Sequence, residues 1–265
     1  MKLLKYMWAA VAAVLATGLL LCSCGASDAG GNTSINESVL ESVNTQQSGE
    51  SDQIIDGALS GNGWSQNENG EKLYYQDGLF VVGWKLLDGE WYYFDSHGIM
   101  QTGLVTYDGK TYYMDEDGTM HKSWLDLDGK RYYCHYEDGY LMTGWIRIGG
   151  KWYYMDSDGT MHKSWLDLNG KRYYCHYEDG YMMTGWIRIN GKWYYMNQDG
   201  TMHKSWLDFD GDRYYCHYED GYMMTGWIRI GGKWYYMQGD GTMLKNATAP
   251  DGSKVGSDGA RIEPD

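Results

Sequence analysis

From Gly63 onward, apolar and polar positions alternate in runs of four or five residues, broken by glycine. Trp145-Ile146-Arg147-Ile148 is one such run and Lys151-Trp152-Tyr153-Tyr154-Met155 is the next, with Gly149-Gly150 between them. A period of two over so few residues marks a half-buried strand. Two such strands joined by two residues predict a β-hairpin. The signal is firmest at Asn169-Gly170 and Asn190-Gly191, because both turn residues need positive φ. After the return strand, Asp156-Ser157-Asp158-Gly159 turns the chain again into Thr160-Met161.

The unit recurs. Gly78, Gly98, Gly118, Gly139, Gly159, Gly180, Gly200, Gly221 and Gly241 are spaced 20 or 21 residues apart, and tyrosine pairs such as Tyr132-Tyr133 and Tyr173-Tyr174 precede them. Trp124, Trp165 and Trp206 lie 41 apart, as do Trp145, Trp186 and Trp227, so two hairpin types alternate. A lone hairpin is marginal in water, whereas stacked ones bury their apolar faces on one another. The expectation is an all-β protein, an elongated solenoid or superhelix of about 20-residue β-hairpin repeats over residues 63–245. Residues 246–265 lose the aromatics but keep Asp251-Gly252 and Asp258-Gly259, which predicts either a degenerate C-terminal cap or a disordered tail.

Residues 1–23 read as a signal peptide: Lys2 and Lys5 precede an apolar run, Met7 to Leu21, that is short for a spanning helix. Its end, Leu21-Cys22-Ser23-Cys24-Gly25, resembles the lipobox of bacterial lipoproteins, which makes Cys24 the lipid-anchor candidate. Residues 24–62, rich in Gly, Ser, Asn, Gln and Glu, read as a flexible tether. The expected location is extracellular, on the outer face of the bacterial cytoplasmic membrane, with contact to the membrane only through the lipid.

Composition sharpens this picture. Tyr 26 and Trp 13 against Phe 3 favour half-exposed aromatic surfaces. A net charge of −14 argues against nucleic acid, which needs clustered Lys and Arg. The run Gly144-Trp145, Gly150-Lys151-Trp152-Tyr153-Tyr154-Met155, Gly159-Thr160-Met161 recurs around Gly185-Trp186 and Gly226-Trp227, and more loosely around Gly83-Trp84. It resembles the cell-wall-binding repeat family, which includes the choline-binding modules of autolysins and related glucan-binding repeats. The resemblance implies a hairpin superhelix that binds ligand between consecutive hairpins. The partner it implies is a cell-wall polymer, choline-substituted teichoic acid or a glucan.

The chemistry can also be read from the residues. A quaternary ammonium is held in a cage of two or three rings by cation–π attraction, about 0.5–2 kcal/mol per contact. Trp84/Trp91, Trp145/Trp152, Trp186/Trp193 and Trp227/Trp234 are couples at a constant spacing of seven on facing strands. The family adds a tyrosine wall from the following hairpin, and strand alternation nominates Tyr113, Tyr174 and Tyr215. The last couple lacks a full repeat after it, so its cage is expected to be incomplete. In the alternate hairpins Arg131, Arg172 and Arg213 stand where the second tryptophan would be, so Trp124, Trp165 and Trp206 read as packing residues.

Other constellations reduce to structure. Cys134, Cys175 and Cys216 take the slot of Met114, Met155 and Met196 and read as small buried hydrophobes, too far apart to bridge. The recurring histidines, His121, His162, His203, His135, His176 and His217, read as exposed strand-edge residues rather than metal ligands. The Asp-x-Asp-Gly turns lack the ligand set of a calcium loop. No nucleophile elbow, zinc-protease helix or phosphate loop is present, and pairing turn acids into a glycosidase dyad would be arbitrary. The reading is a non-enzymatic, surface-anchored binding protein without cofactor, metal or catalytic residues; the alternatives are a glucan-binding protein on the same fold, or a structural stalk or adhesin whose aromatics are only core.

Overall fold

The computed structural model describes residues 62–262. Cys24, the proposed signal peptide and almost all of the proposed tether lie outside the described residues. Two compact units can be distinguished, residues 62–142 and residues 143–262.

The first unit holds a three-stranded sheet, β1 (Gly63–Gln66), β2 (Lys72–Gln76) and β3 (Leu79–Phe80), followed by three hairpins. These are β4 (Gly83–Leu87) with β5 (Glu90–Phe94), β6 (Gly103–Tyr107) with β7 (Lys110–Met114), and β8 (Ser123–Leu127) with β9 (Lys130–Cys134). The second unit continues with β10 (Gly144–Ile148) and β11 (Lys151–Met155), β12 (Ser164–Leu168) and β13 (Lys171–Cys175), and β14 (Gly185–Ile189) and β15 (Lys192–Met196). It closes with β16 (Ser205–Phe209) and β17 (Asp212–Cys216), β18 (Gly226–Ile230) and β19 (Lys233–Met237), and a small pair, β20 (Ala247–Thr248) and β21 (Lys254–Val255). Every pairing is antiparallel, and among the described residues there is no helix. Within each unit the chain is a solenoid of hairpin repeats.

The tight turns follow the sequence chemistry. Gly149-Gly150 has φ of 56° and 82°, and Asn190-Gly191 has 49° and 81°, the doubly positive geometry of a two-residue hairpin turn. Register then fixes the faces. Trp145 opposes Tyr154 and Arg147 opposes Trp152, so these four share one face. Ile146 opposes Tyr153, and Gly144 opposes Met155, on the other.

Within each unit, backbone hydrogen bonds stack successive hairpins on one another. The Met182 N–H donates to the Trp152 carbonyl (2.7 Å), Met202 to Arg172 (2.7 Å) and Met223 to Trp193 (2.7 Å), each donor lying in the segment after the next hairpin. The periodic glycine allows this close approach. A Cβ on Gly180 would stand 2.5 Å from Met161 Sδ, and its φ of 75° is one that L side chains rarely adopt. Phe94, Met114 and Cys134 in the first unit, and Met155, Cys175, Met196, Cys216 and Met237 in the second, are fully buried. The cysteines therefore occupy the hydrophobic slot, and burial pushes their thiols up to about 12.

The histidines differ from the sequence expectation. His121, His162 and His203 are partly buried struts. His162 Nε2 donates to the Trp165 carbonyl (3.0 Å), while Nδ1 faces the Asp156 carboxylate (3.0 Å) across the turn. The spacing of six between Asp156 and His162 lets one ring tie a turn to the next strand.

Candidate ligand-binding site

The hairpin face that carries the leading tryptophan is assembled in the same way in successive repeats. Trp145 meets Tyr154 of its own hairpin edge-to-face at 5.2 Å, and Tyr173 of the next hairpin at 5.1 Å. Trp186 meets Tyr195 at 5.2 Å and Tyr214 at 5.0 Å. Trp152 lies diagonally across the hairpin from Trp145, a separation of roughly 7–8 Å between such positions. It is 42% exposed. Trp193, its counterpart beside Trp186, is half-buried. A cation within about 6 Å of two or three aromatic faces is held by all of them.

The tyrosine walls differ from those nominated from sequence. Tyr174 and Tyr215 meet the leading tryptophans of their own hairpins, Trp165 and Trp206, at 5.0 Å. Tyr113 opposes Leu104 and touches His121. The ring that reaches back to the preceding hairpin is the first tyrosine of each pair: Tyr112, Tyr173 or Tyr214. Strand alternation correctly puts the second tyrosine on the face of its own tryptophan. The rotation between hairpins, which alternation does not encode, brings the first one against its neighbour.

The four couples are not equivalent. Trp84 is only 6% exposed and joins Val105, Tyr112, Met114 and Met120 in the core of the first unit, with Trp91 packed against it at 6.5 Å. Tyr107, at the end of β6, occupies the space beside it at 6.3 Å. The equivalent strand positions in the second unit are Leu168 and Phe209, and Phe209 lies 6.5 Å from Trp186. The indole N–H of Trp186 is buried and meets no acceptor among the described residues. At the last couple, Trp234 is 38% exposed, whereas Trp227 is covered by residues of the C-terminal stretch. Asp251 Oδ2 accepts from the Trp227 indole N–H (2.9 Å), and the Arg261 guanidinium lies 5.8 Å from the ring.

The alternate hairpins carry an ion pair where the second indole would stand. Arg172 lies over Trp165 at 5.1 Å and pairs with Asp167 opposite it. Asp117 and Asp199 are held below the usual carboxylate range, first by the hydroxyls of Thr119 and Thr201, which tie them into their own turns. Among the described residues no cluster of three potential metal ligands occurs.

One notch escaped the sequence reading. Trp64 is 44% exposed, meets Tyr74 at 5.3 Å and Tyr92 at 5.1 Å, and borders a cleft of about 610 Å³ lined also by Ser65, Gln66, Lys72 and Asp117. Lys72 replaces the second tryptophan there, so the seven-residue couple is absent and only the leading Trp marks the place.

Comparison with known proteins gives concordant results. One choline-binding repeat model matches residues 81–123, 142–185 and 183–225, and a second choline-binding repeat model matches 225–260. The choline-binding domain of CbpL from Streptococcus pneumoniae is similar at 30% identity, covering 70% of this chain and 99% of that one, with a TM-score of 0.54. CbpJ from Streptococcus pneumoniae TIGR4 (24% identity, 76% and 100% covered, TM-score 0.59) and choline binding protein F from Streptococcus pneumoniae (24%, 77% and 99%, 0.58) share the fold. No curated protein sequence matches the chain.

Proposed function

The chain belongs to the choline-binding repeat family, and from that premise we propose that it is a non-enzymatic surface protein that docks on choline-bearing cell-wall polymer. The docking points are the aromatic notches between hairpins of the second unit. Trp145, Trp152 and Tyr173 form one, and Trp186, Trp193 and Tyr214 form another. The observation that carries the reading is the exposed indole of Trp152 set across from a half-buried Trp145 already framed by two tyrosines. A ring kept wet beside a built aromatic frame suits a ligand better than a core. Each notch is weak, and a polymer that presents choline repeatedly engages several at once.

Acylated Cys24 would hold the repeats at the membrane surface. Replacing Cys24 with serine should then release the protein into the medium and abolish fatty-acid labelling.

The test of docking is titration of the full chain with choline, followed by tryptophan fluorescence and by retention on a choline-like resin. A saturable change with elution by free choline supports the reading. The absence of both refutes it. A second reading, a neutral glucan on the same fold, draws on the Trp64 cleft, where Ser65, Gln66, Lys72 and Asp117 surround an aromatic floor with hydrogen-bonding groups. Retention on insoluble glucan that choline does not compete would favour it.

A further inference from the structure

The leading tryptophans share one ring frame, yet several carry a guanidinium from the protein itself. Arg131 stands 5.0 Å from the Trp124 centroid, Arg172 5.1 Å from Trp165 and Arg213 4.7 Å from Trp206. Each is cross-strand from an aspartate, with Nε to carboxylate distances of 3.2 Å for Asp126, 3.0 Å for Asp167 and 3.2 Å for Asp208. The Nε–H is not aimed at that oxygen; in Arg172 it is Nη2 that donates, to Asp167 Oδ2 (3.3 Å). Arg261 approaches Trp227 from outside the hairpin at the longer distance of 5.8 Å, carried there by the C-terminal cap, in which the Arg261 N–H donates to the Trp234 carbonyl (2.8 Å).

The other hairpin type inverts this arrangement. Trp152 and Trp193 stand at the arginine position, and the residue facing them is Arg147 or Arg188 instead of aspartate. Those guanidinium groups lie 6.0 Å from Trp152 and Trp193, at the outer limit of cation–π attraction. Arg188 Nε is directed at the Gly191 carbonyl in the hairpin turn (3.5 Å), away from the notch. Among the described residues no lysine or arginine stands over Trp145 or Trp186.

We propose that Arg172, with Arg213, is a resident ligand: its guanidinium fills the cation position of its own notch and closes that notch to outside cations. Residue 172 and its counterparts thus decide, hairpin by hairpin, which junctions bind. This rests on reading the notches as cation sites. Arginine suits the role because its planar group stacks on an aromatic face and is weakly hydrated. The paired aspartate cancels its charge, so a filled notch does not repel a cation in the next one. In the second unit the open notches at Trp145 and Trp186 are separated by the filled notch at Trp165. At Trp227 the same closure is detachable, because Arg261 belongs to the cap and not to the hairpin.

The test is a count of bound choline on the full chain by calorimetric titration. Arg172→Trp recreates the couple of the sister hairpins. A cleft of about 510 Å³, lined in part by Asp167, Arg172, Met202 and Glu219, gives the larger ring room. One additional choline per chain is expected for Arg172→Trp, and one for Arg261→Ala, while Arg172→Lys adds none. If Arg172→Trp destabilises the repeat, Arg172→Met serves in its place and should add one weaker site. A second readout needs no variant: the Nε–H resonance of Arg172 should be shifted upfield by the Trp165 ring and should not move on choline addition. Wild-type binding with the same count in Arg172→Trp, Arg172→Met and Arg261→Ala, or an unshifted and choline-sensitive Arg172 signal, overturns the resident-ligand inference alone. No choline binding by the wild type overturns the docking reading and this inference with it.

Discussion

Trp145 and Trp152 occupy one notch but are held very differently, and truncating each in turn separates binding from folding. Trp145 is half-buried, with two edge-to-face tyrosines at 5.2 Å and 5.1 Å. Each aromatic pair is worth about 0.5–1.5 kcal/mol beyond burial, and removing a packed indole costs about 3–5 kcal/mol. Trp152 is 42% exposed, and its nearest cation, Arg147, is at 6.0 Å. Surface truncations of this kind cost about 0.5 kcal/mol. On the ligand side, one lost cation–π contact of about 0.5–2 kcal/mol lowers affinity roughly 2- to 30-fold. Trp152→Ala in a Trp193→Ala background, which prevents the second open notch from masking the loss, should bind choline that much more weakly than Trp193→Ala alone. Its melting temperature should stay within about 2 °C of that parent. Trp145→Ala should lower the melting temperature by several times as much. The assays are calorimetric titration and differential scanning calorimetry on the same samples. If Trp152→Ala melts like Trp145→Ala, the exposed indole is a packing residue. If it binds choline as well as its parent, the notch is not the site.

Three further outcomes follow from the fold. Ser164 has a φ of 74° at the strand start where Gly144 and Gly185 have 75° and 76°. Ser164→Gly should relieve about 1 kcal/mol of left-handed strain and raise the melting temperature by about 2 °C in scanning calorimetry. Gly180→Ala forces a Cβ to 2.5 Å from Met161 Sδ at a φ of 75° and should destabilise by about 2–4 kcal/mol in urea unfolding. The buried thiols of Cys134, Cys175 and Cys216 titrate at about 12 when folded, above their usual 9.0. Their contribution to stability is therefore full below pH 9 and is lost as the pH rises toward 12. C134A/C175A/C216A should show a shallower alkaline loss of stability than the parent. In the native parent, thiol labelling of these three at pH 8 should run about a thousandfold slower than for a free cysteine, because only the thiolate reacts.

Local chemistry made the hairpins legible, and longer-range packing set what was not. Asn190-Gly191 fixes its turn without help from any other repeat, and once the turn is set, alternation fixes which side chains share a face. That was enough to place Trp145, Arg147, Trp152 and Tyr154 together. It was not enough to say which tyrosine of the next pair would close the notch, since that depends on how one hairpin rotates against another. The burial of Trp84 against Val105 and Tyr112 is of the same kind, set by residues of the following hairpin. Trp64 was missed because its second wall is a lysine, and the spacing rule sought indoles in couples. The histidine struts could have been found: Asp115 to His121 and Asp156 to His162 keep a constant offset of six.

The alternation of hairpin types has a physical consequence that neither type would have alone. A run of Trp-Trp hairpins would place a half-exposed indole couple at every junction, and contiguous aromatic surface is what drives soluble proteins to associate. Alternating them with hairpins whose rings already hold a guanidinium keeps the stacking frame while covering every second one. On the proposed reading, the same tryptophan and tyrosine pair would serve as core in one repeat and as a recognition surface in the next. The difference lies in whether position 172 or its equivalent is arginine or tryptophan, and in the aspartate or arginine that faces it. Cross-strand partners change together, Asp167 with Arg172 and Arg147 with Trp152, so each hairpin carries its own charge balance. A polymer bound at Trp145 and Trp186 would meet notches two hairpins apart, and its gain from multivalency depends on matching that interval rather than on the strength of either notch.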